Sequence, residues 1–423
     1  MAGNSSNGRF RPRRVQGILR EFLQVEAAGG FALMSAAIIA VVWANTLTDT
    51  YHDVWEWEIT LGSGDIRMTV PFWDNQSILL FQPITEHLSG WVNDALMTIF
   101  FFLVGLEVKR EFVAGELRDP RAAALPILAA AGGMIVPAAI FAALNYGGEG
   151  IDGWAIPVAT DIAFVVGVLA LFGPRLPSGL RVFLLTLAIA DDIGGIVIIA
   201  VFYTSGIEPG YLLAAGGGFA LIVALQMAGL RYITMYAVIG VAVWYYAFES
   251  GVHATISGVV LGLLTPARPY RGHRVMEQIE HRLLPYSNFI IVPIFALANA
   301  GVVMTFGTLE DAFSESVAWG IVLGLIAGKT GGVFLATFLG VRLGIGRIPA
   351  GVTLPHALGG AMLAGIGFTV ALFIAELSYD DHVLLDQAKI GVFAGSLAAG
   401  IAGALFLYLV ARARPTPPMT TMT

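Results

Sequence analysis

Four ionisable side chains lie inside long apolar stretches of this sequence. Asp191 and Asp192 are adjacent in LTLAIADDIGGIVIIAVFY, and Asp161 lies in AIPVATDIAFVVGVLALF. Lys329 lies in GIVLGLIAGKTGGVFLATF. One such charge at the centre of a membrane helix costs about 2.5–3.5 kcal/mol, so four unpaired charges would cost roughly 10 kcal/mol. These residues must therefore pair with one another or bind something charged.

Charge balance favours a functional site over a purely structural ion pair. Lys329 can neutralise one aspartate, which leaves two carboxylates without a cation. Adjacent residues on a helix point about 100° apart, so Asp191 and Asp192 cannot both face Lys329 equally. A bound cation or protons would complete the balance, and ionisable residues inside membranes are functional by default.

The available ligands predict a hard cation. Na⁺ and Li⁺ prefer carboxylate, hydroxyl and carbonyl oxygens, as Ca²⁺ and Mg²⁺ do. Asp161, Asp191, Asp192 and the Thr160 hydroxyl supply such oxygens, and the absence of cysteine excludes thiolate metal sites. Burial and a neighbouring carboxylate favour the protonated acid, whereas a nearby ammonium favours the carboxylate. Protons and Na⁺ can therefore compete for one site, and we expect no cofactor besides these transported ions.

The composition indicates that membrane helices position these residues. The chain has 57% hydrophobic and only 13% charged residues, with a mean hydropathy of +0.78, which is too little charge for a soluble surface. A bilayer core of about 30 Å needs about 20 apolar residues in a helix. Twelve predicted spans follow: 27–46, 90–107, 122–146, 154–172, 179–203, 211–229, 232–249, 252–264, 288–304, 317–341, 354–377 and 386–411.

The distribution of basic residues predicts the orientation. Apart from Arg67, Lys329 and Lys389, every Lys and Arg lies in a terminus or in alternate connecting segments. Cytoplasmic segments carry the excess of Lys and Arg, so both termini are predicted to be cytoplasmic. The predicted organisation is a cytoplasmic tail over 1–20, one transmembrane transporter domain over 21–411, and a second cytoplasmic tail over 412–423.

The first predicted outer loop carries a strand pattern. Residues 57–70, WEITLGSGDIRMTV, alternate apolar and polar residues around Gly-Ser-Gly, which predicts a β-hairpin. A lone hairpin is marginal in water. It either pairs with a second copy in a homodimer or rests on its own membrane domain, and the pattern does not choose between them.

Two predicted spans carry helix breakers. Pro157 precedes Thr160 and Asp161, and a proline there removes a helical hydrogen bond. Gly365 and Gly367 fall within LPHALGGAMLAGIGFTVALFI, where close packing is the simpler explanation for glycine. Interrupted helices in the two halves of a transporter nevertheless indicate a binding site. The tenth span carries glycines at every fourth position, Gly320, Gly324, Gly328 and Gly332, which predicts a face for a closely packed neighbour.

These segments together resemble the NhaA family of bacterial Na⁺/H⁺ antiporters over roughly residues 20–410. The matching motifs are NDALMTIFFFLVGLEVKREF, IPVATDIAFVVGVLAL, LAIADDIGGI, SGVHATISG, IFALANAGV, GLIAGKTGG and GIGFTVALFIA. Inverted repeats are already attributed to this family. The resemblance therefore implies an all-α membrane fold of two inverted repeats, with the fourth and eleventh spans unwound and crossing.

The resemblance also implies roles for individual residues. Asp192 would be the principal ligand of Na⁺, and Asp191 would share the site and pair with Lys329 in one protonation state. Thr160 and Asp161 would line the site. The family's pH-sensing cluster matches Glu107, Lys109, Arg110, Glu111, Glu280 and His281, together with His253. A charged anchor at a helix end, and simple packing for His253, are the plainer explanations. Leu284 and Tyr286 stand where relatives can carry histidine and tryptophan, so the pH profile could be shifted or flattened.

The predicted function is an electrogenic Na⁺(Li⁺)/H⁺ antiporter of the bacterial inner membrane, activated at alkaline pH. It would work by alternating access with two H⁺ per Na⁺, for sodium and pH homeostasis, and no enzymatic activity or nucleic-acid partner is expected. A Na⁺-coupled symporter of an organic anion, with Lys329 as the anion site, and a cation channel are the alternatives. Proton release on addition of Na⁺ separates these three classes.

Overall fold

Long apolar helices dominate the computed structural model, which describes residues 12–62, 66–69, 77–204, 206–230, 233–267 and 274–413. Over those residues, nine helical segments are long and apolar enough to cross a membrane. The helices are α1 (Pro12–Thr46), α2 (Thr48–Trp55), α3 (Leu88–Ala114), α4 (Pro120–Leu144), α5 (Ile162–Phe172), α6 (Ser178–Phe202), α7 (Pro209–Met227), α8 (Ile233–Glu249), α9 (Ala254–Leu264), α10 (Val275–Asn299), α11 (Phe306–Ser314), α12 (Ser316–Arg342), α13 (Leu354–Leu363), α14 (Phe368–Ser378) and α15 (His382–Ala413). Short 3₁₀ helices lie at Glu116–Arg118, Glu149–Val158 and Gly173–Arg175.

The described residues contain nine candidate spans, or ten with one bent pair, against the predicted twelve. The bent pair α13–α14, with an angle of 45°, adds a tenth, and α8 and α9 are apolar but only 17 and 11 residues long. A helix as short as α9 rises about 16 Å, roughly half of a 30 Å bilayer core. Twelve spans therefore stay a prediction. The predicted 288–304 boundary is wrong, because α10 begins at Val275, where charged residues lower the hydropathy of its first turns.

Four short strands precede α3, and their pairing differs from the predicted hairpin over 57–70. Strand β1 (Glu58–Leu61) pairs antiparallel with β4 (Ile84–His87), and β2 (Ile66–Thr69) pairs with β3 (Ser77–Phe81). Gly62, at a φ of 105°, ends β1 without turning the chain back onto it. Residues 63–65 and 70–76, including most of the expected Gly-Ser-Gly turn, lie outside the described residues. The alternation of apolar and polar residues over 57–70 did not predict β3 and β4, which are the pairing partners of β2 and β1.

Two spans are interrupted at the depth of the buried charges. The 3₁₀ helix Glu149–Val158 contains Pro157 and is followed by extended residues up to Asp161, where α5 begins. A proline cannot donate the hydrogen bond that would continue this turn. The second break separates α13 from α14 and contains Gly365, where an added Cβ would lie 2.4 Å from the Leu325 carbonyl oxygen. Glycine is required there because another backbone occupies the space of a side chain.

The glycine face of α12 packs on α4. An added Cβ at Gly328 would lie 2.6 Å from the Pro137 Cα, and one at Gly332 would lie 2.1 Å from the Gly132 carbonyl oxygen. Gly320 and Gly324 meet Phe141 and Pro157 at similarly short distances. The predicted closely packed face is confirmed, and it brings α12 within backbone contact of its neighbour.

Three helices contain a widened, π-helical turn in the described part of the chain. These turns are Val92–Leu96 in α3, Ser287–Ile291 in α10 and Gly324–Lys329 in α12. In α10 the turn comes before Pro293, whose ring would clash with the carbonyl of Phe289 in a regular α-helix. Turns of this kind occur frequently at functional sites, and one of them ends at Lys329.

Candidate functional site

The two helix breaks are hydrogen-bonded directly to each other. The Asp161 amide donates to the Ile366 carbonyl at 2.6 Å, and the Thr160 hydroxyl donates to the Ala364 carbonyl at 2.8 Å. Thr160 and Asp161 are both buried. Unwound backbone inside a membrane is tolerated only when its polar groups find partners. Each break therefore supplies the partners that the other one needs.

The Asp161 carboxylate joins the starts of two helices. Its Oδ1 accepts a hydrogen bond from the Phe164 amide of α5 at 3.2 Å. Its Oδ2 accepts from the Thr369 amide of α14 at 3.1 Å and from the Thr369 hydroxyl. A carboxylate at a helix N-terminus satisfies free amides and faces the positive end of the helix dipole. Asp161 thus fixes α5 and α14 relative to each other.

Lys329 forms a buried ion pair with Asp191. The ammonium donates to Asp191 Oδ2, and both side chains are almost completely shielded from solvent. The other oxygen, Oδ1, is buried and has no hydrogen-bond partner in the described ranges of the chain. The Lys329 Cδ and Nζ would lie 3.7 and 3.8 Å from a Cβ added at Gly133 of α4. The glycine contacts of α4 and α12 therefore position the lysine, as the sequence predicted.

Asp192 lines a cavity of about 60 Å³, whereas the described ion pair of Lys329 is with Asp191. Glu107 of α3, Thr160, Asp161 and Thr369 line the same cavity, whereas Asp191 and Lys329 do not. The two adjacent aspartates therefore serve different surroundings, as their angular separation requires. Among the described residues, there is no group of three or more His, Asp or Glu side chains close enough to hold a metal ion together. A cation here would be held by few carboxylates and by neutral oxygens, which suits an ion that must also leave.

A charged cluster lies where α3 and α10 meet. Arg110 is paired with Glu280, and its Nε is 3.9 Å from Glu111 Oε1. Glu280 is buried at 5% exposure, although it carries a charge in this pair. Lys109 donates to the Leu263 carbonyl at 2.6 Å. The basic residues of α3 and α10, together with the end of α9 that Lys109 contacts, thus define one end of the bundle, called here the basic end. Glu107 lines the cavity and lies on the same helix as Lys109 and Arg110.

The two candidate histidines occupy different parts of the bundle. His281 follows Glu280 on α10 and is exposed. His253 precedes α9 at the opposite end of the bundle, which carries the strands and is called here the strand end, and its Nε2 donates to the Tyr203 carbonyl at 2.5 Å. The structure therefore brings Glu107, Arg110, Glu111 and Glu280 together, and His253 lies at the other end of the bundle.

Sequence reasoning missed two hydroxyls that hold the breaks. Thr369 donates to Asp161, and the Ser396 hydroxyl of α15 accepts from the Gly367 and Phe368 amides at 3.3 Å each. Thr369 follows the Gly-Ile-Gly break by two residues, where a helix start needs side-chain partners. Ser396 gave no such signal, because its partner lies 28–29 positions away in the sequence.

Buried charges beside two interrupted helices define the class of protein. Ionisable residues inside membrane spans mark ion pathways, and discontinuous helices at the membrane midplane are typical of secondary transporters. A family model described as Na⁺/H⁺ antiporter 1 matches residues 20–407. The chain therefore belongs to this family of antiporters, whose curated members carry the name NhaA.

Individual relatives agree along nearly the whole chain. An antiporter NhaA 2 from Erythrobacter litoralis is 44% identical, with 93% of this chain and 94% of the relative covered. An antiporter NhaA 3 from Frankia alni is 41% identical over 97% of this chain and 93% of its own length. The antiporter NhaA of Escherichia coli is 41% identical over 94% of this chain and 99% of its own length. The protein is thus a multi-pass membrane antiporter of Na⁺ and H⁺ by family.

Proposed function

We propose that this protein is an electrogenic Na⁺(Li⁺)/H⁺ antiporter whose cation and proton site is formed by Asp191 and Asp192. The observation that supports the proposal is that the two adjacent aspartates have different surroundings. Asp191 is held by Lys329, while Asp192 faces the cavity. Thr160 and Asp161 line the site, and Lys329 compensates its charge.

The ion pair and the cavity suggest how exchange occurs. In this arrangement Lys329 and Asp191 share one proton, and Asp192 can carry a second. A cation that draws both carboxylates toward itself releases the proton of the pair and the proton of Asp192. Two H⁺ would then exchange for one Na⁺, and the cycle would move net charge. A reversal potential that does not respond to membrane voltage would contradict this stoichiometry.

The architecture that we propose has twelve spans with both termini cytoplasmic, in a bacterial inner membrane. The domain covers 21–411 and consists of two inverted repeats, with the broken helices crossing at the site. Pro157, Gly365 and Gly367 interrupt these helices, and alternating access would expose the site to each side in turn. Cytoplasmic labelling of tags at both termini tests the orientation, and labelling of one terminus only would exclude it.

We propose that the charged cluster at the basic end regulates transport by pH. Glu107, Arg110, Glu111 and Glu280 would change their pairing as protons leave, and variants of His281 and His253 test whether either histidine contributes. We also propose a homodimer in which the two-stranded sheets add to those of a second copy, because each sheet presents edge strands. A light-scattering mass of one chain for the purified protein would contradict the dimer.

The decisive test uses everted vesicles that are acid inside, with a pH dye and added Na⁺. Wild type should show Na⁺-driven proton release, and Asp192→Asn should show none, because the exchangeable carboxylate is gone. Asp53→Asn, at an exposed position of α2, is the matched control and should behave as wild type.

The other outcomes separate the alternative classes. A wild type without any proton release from neutral to alkaline pH would exclude antiport and favour the Na⁺-coupled symporter. Charge movement without protons would indicate a channel. Equal activity of wild type and Asp192→Asn would keep antiport and move the site elsewhere.

A further inference from the structure

The π-helical turn of α10 presents two buried polar groups without partners. Ser287 is 1% exposed, and its hydroxyl has no hydrogen-bond partner among the described residues. The Asn288 amide nitrogen is also buried, and it too lacks a partner in the described part of the chain. Leaving a polar group buried and unsatisfied costs about 1–3 kcal/mol. Two such groups on consecutive residues therefore need an explanation.

Both residues line the cavity that Asp192 faces. Its other polar lining consists of Glu107, Thr160, Asp161 and Thr369, and no Lys or Arg belongs to the lining. A single water needs roughly 10–15 Å³ of such space, so the cavity of about 60 Å³ can hold several. The space beside Ser287 and Asn288 is thus polar, lined by carboxyl groups and by no basic side chain, and large enough for a partly hydrated cation.

The π-helical turn affects the directions of these two side chains. In a regular α-helix, consecutive side chains diverge by about 100° around the helix axis. The wider turn Ser287–Ile291 changes this spacing. Gly29 of α1 makes room for the second residue, because a Cβ there would lie 2.7 Å from the Asn288 Cβ.

We propose that Ser287 and Asn288 form a second cation station between Glu107 and Asp192, at which Na⁺ or Li⁺ exchanges water for protein oxygens. The Ser287 hydroxyl and the amide oxygen of Asn288, reached by rotation of the side chain, would coordinate the cation or its last waters. Hydroxyl and amide oxygens are suitable ligands for hard cations and add no charge. This station rests on the proposed antiport, and it sets the apparent affinity for the cation without taking part in proton exchange.

The test measures the apparent KM for Na⁺ and for Li⁺, and the maximal rate, in everted vesicles. We expect Ser287→Ala and Asn288→Ala each to raise KM about five- to tenfold, with the maximal rate within about twofold of wild type, because one ligand to the ion is lost. Asn288→Asp keeps the oxygen at the same position and should restore a KM at or below that of wild type. Ser257→Ala is the matched control, because Ser257 is buried, donates within α9 to Ala254 and does not line this cavity.

A second pair of variants tests the position of Asn288 without replacing that residue. Gly29→Ala would place a methyl group 2.7 Å from the Asn288 Cβ, so that α10 must shift at Asn288 to relieve the contact, and it should raise KM as Asn288→Ala does. Gly216→Ala adds the same methyl group to α7 where no atom lies within 4 Å, and it should leave KM unchanged. Antiport with an unchanged KM in Ser287→Ala, Asn288→Ala and the double variant overturns this station and leaves the proposed function intact. Absence of antiport in the wild type would instead remove the proposed function itself.

Discussion

At the scale of single residues, the pair between Lys329 and Asp191 is the most deeply buried ion pair among the described residues. Removing one partner of a buried pair typically costs about 3–5 kcal/mol, because the other charge stays buried and uncompensated. The pair between Lys389 and Glu376, with N and O 2.8 Å apart, is more accessible, since the Glu376 side chain is 19% exposed. The two lysines therefore form a natural comparison.

We expect Lys329→Gln to lower the Tm of the detergent-purified protein more than Lys389→Gln does, because only the first leaves a carboxylate without water or partner. The double variant Asp191→Asn, Lys329→Gln should recover part of the loss, since neither charge remains. Thermal unfolding of the four proteins checks this. An equal loss for both single variants would show that burial of the Lys329 pair is not what matters.

At the scale of elements, the contact between α4 and α12 depends on glycine at defined positions. Gly328→Ala would place a Cβ 2.6 Å from the Pro137 Cα, and backbone atoms cannot yield as a flexible side chain does. Such overpacking costs about 1–3 kcal/mol. Gly331→Ala, on the same helix, meets nothing within 4 Å. We expect a lower Tm and slower transport for Gly328→Ala only, and matching values for both variants would contradict the packing argument.

A chain made mostly of long apolar helices could be predicted from sequence because hydropathy depends on each segment alone, whereas the start of α10 at Val275 could not. The buried Asp191, Asp192 and Lys329 could be recognised for the same reason, since a charge in an apolar run is a local signal. The pairing of β1 with β4 could not, because it depends on a segment about 25 residues further along the chain. The π-helical turn at Ser287 and the Ser396 contact were equally hidden, as both depend on the packing of distant helices.

At the scale of the whole molecule, the two ends of the bundle respond to protons differently. The cluster of Arg110, Glu111 and Glu280 lies at the basic end, and His253 lies at the strand end. His253 Nε2 donates to the Tyr203 carbonyl, and a neutral imidazole makes this hydrogen bond as well as a charged one. Alkalinisation therefore leaves the contact of His253 in place.

We therefore expect His253→Gln to leave the midpoint of alkaline activation unchanged in a pH series of Na⁺-driven proton release. Glu280→Gln should shift that midpoint, because it removes the charge that Arg110 is paired with. A shifted midpoint in His253→Gln and none in Glu280→Gln would move the pH sensor to the strand end.

The π-helical turn Gly324–Lys329 has a mechanical consequence for the ion pair at its end. Such a turn holds one residue more than an α-turn, and it resembles a dislocation in a crystal, which can travel without melting the lattice. Sliding it by one position would rotate the side chains that it passes by about 100° while most of the hydrogen-bond ladder stays closed. In α12, such a shift of the turn would carry the ammonium of Lys329 away from Asp191 without unfolding the helix.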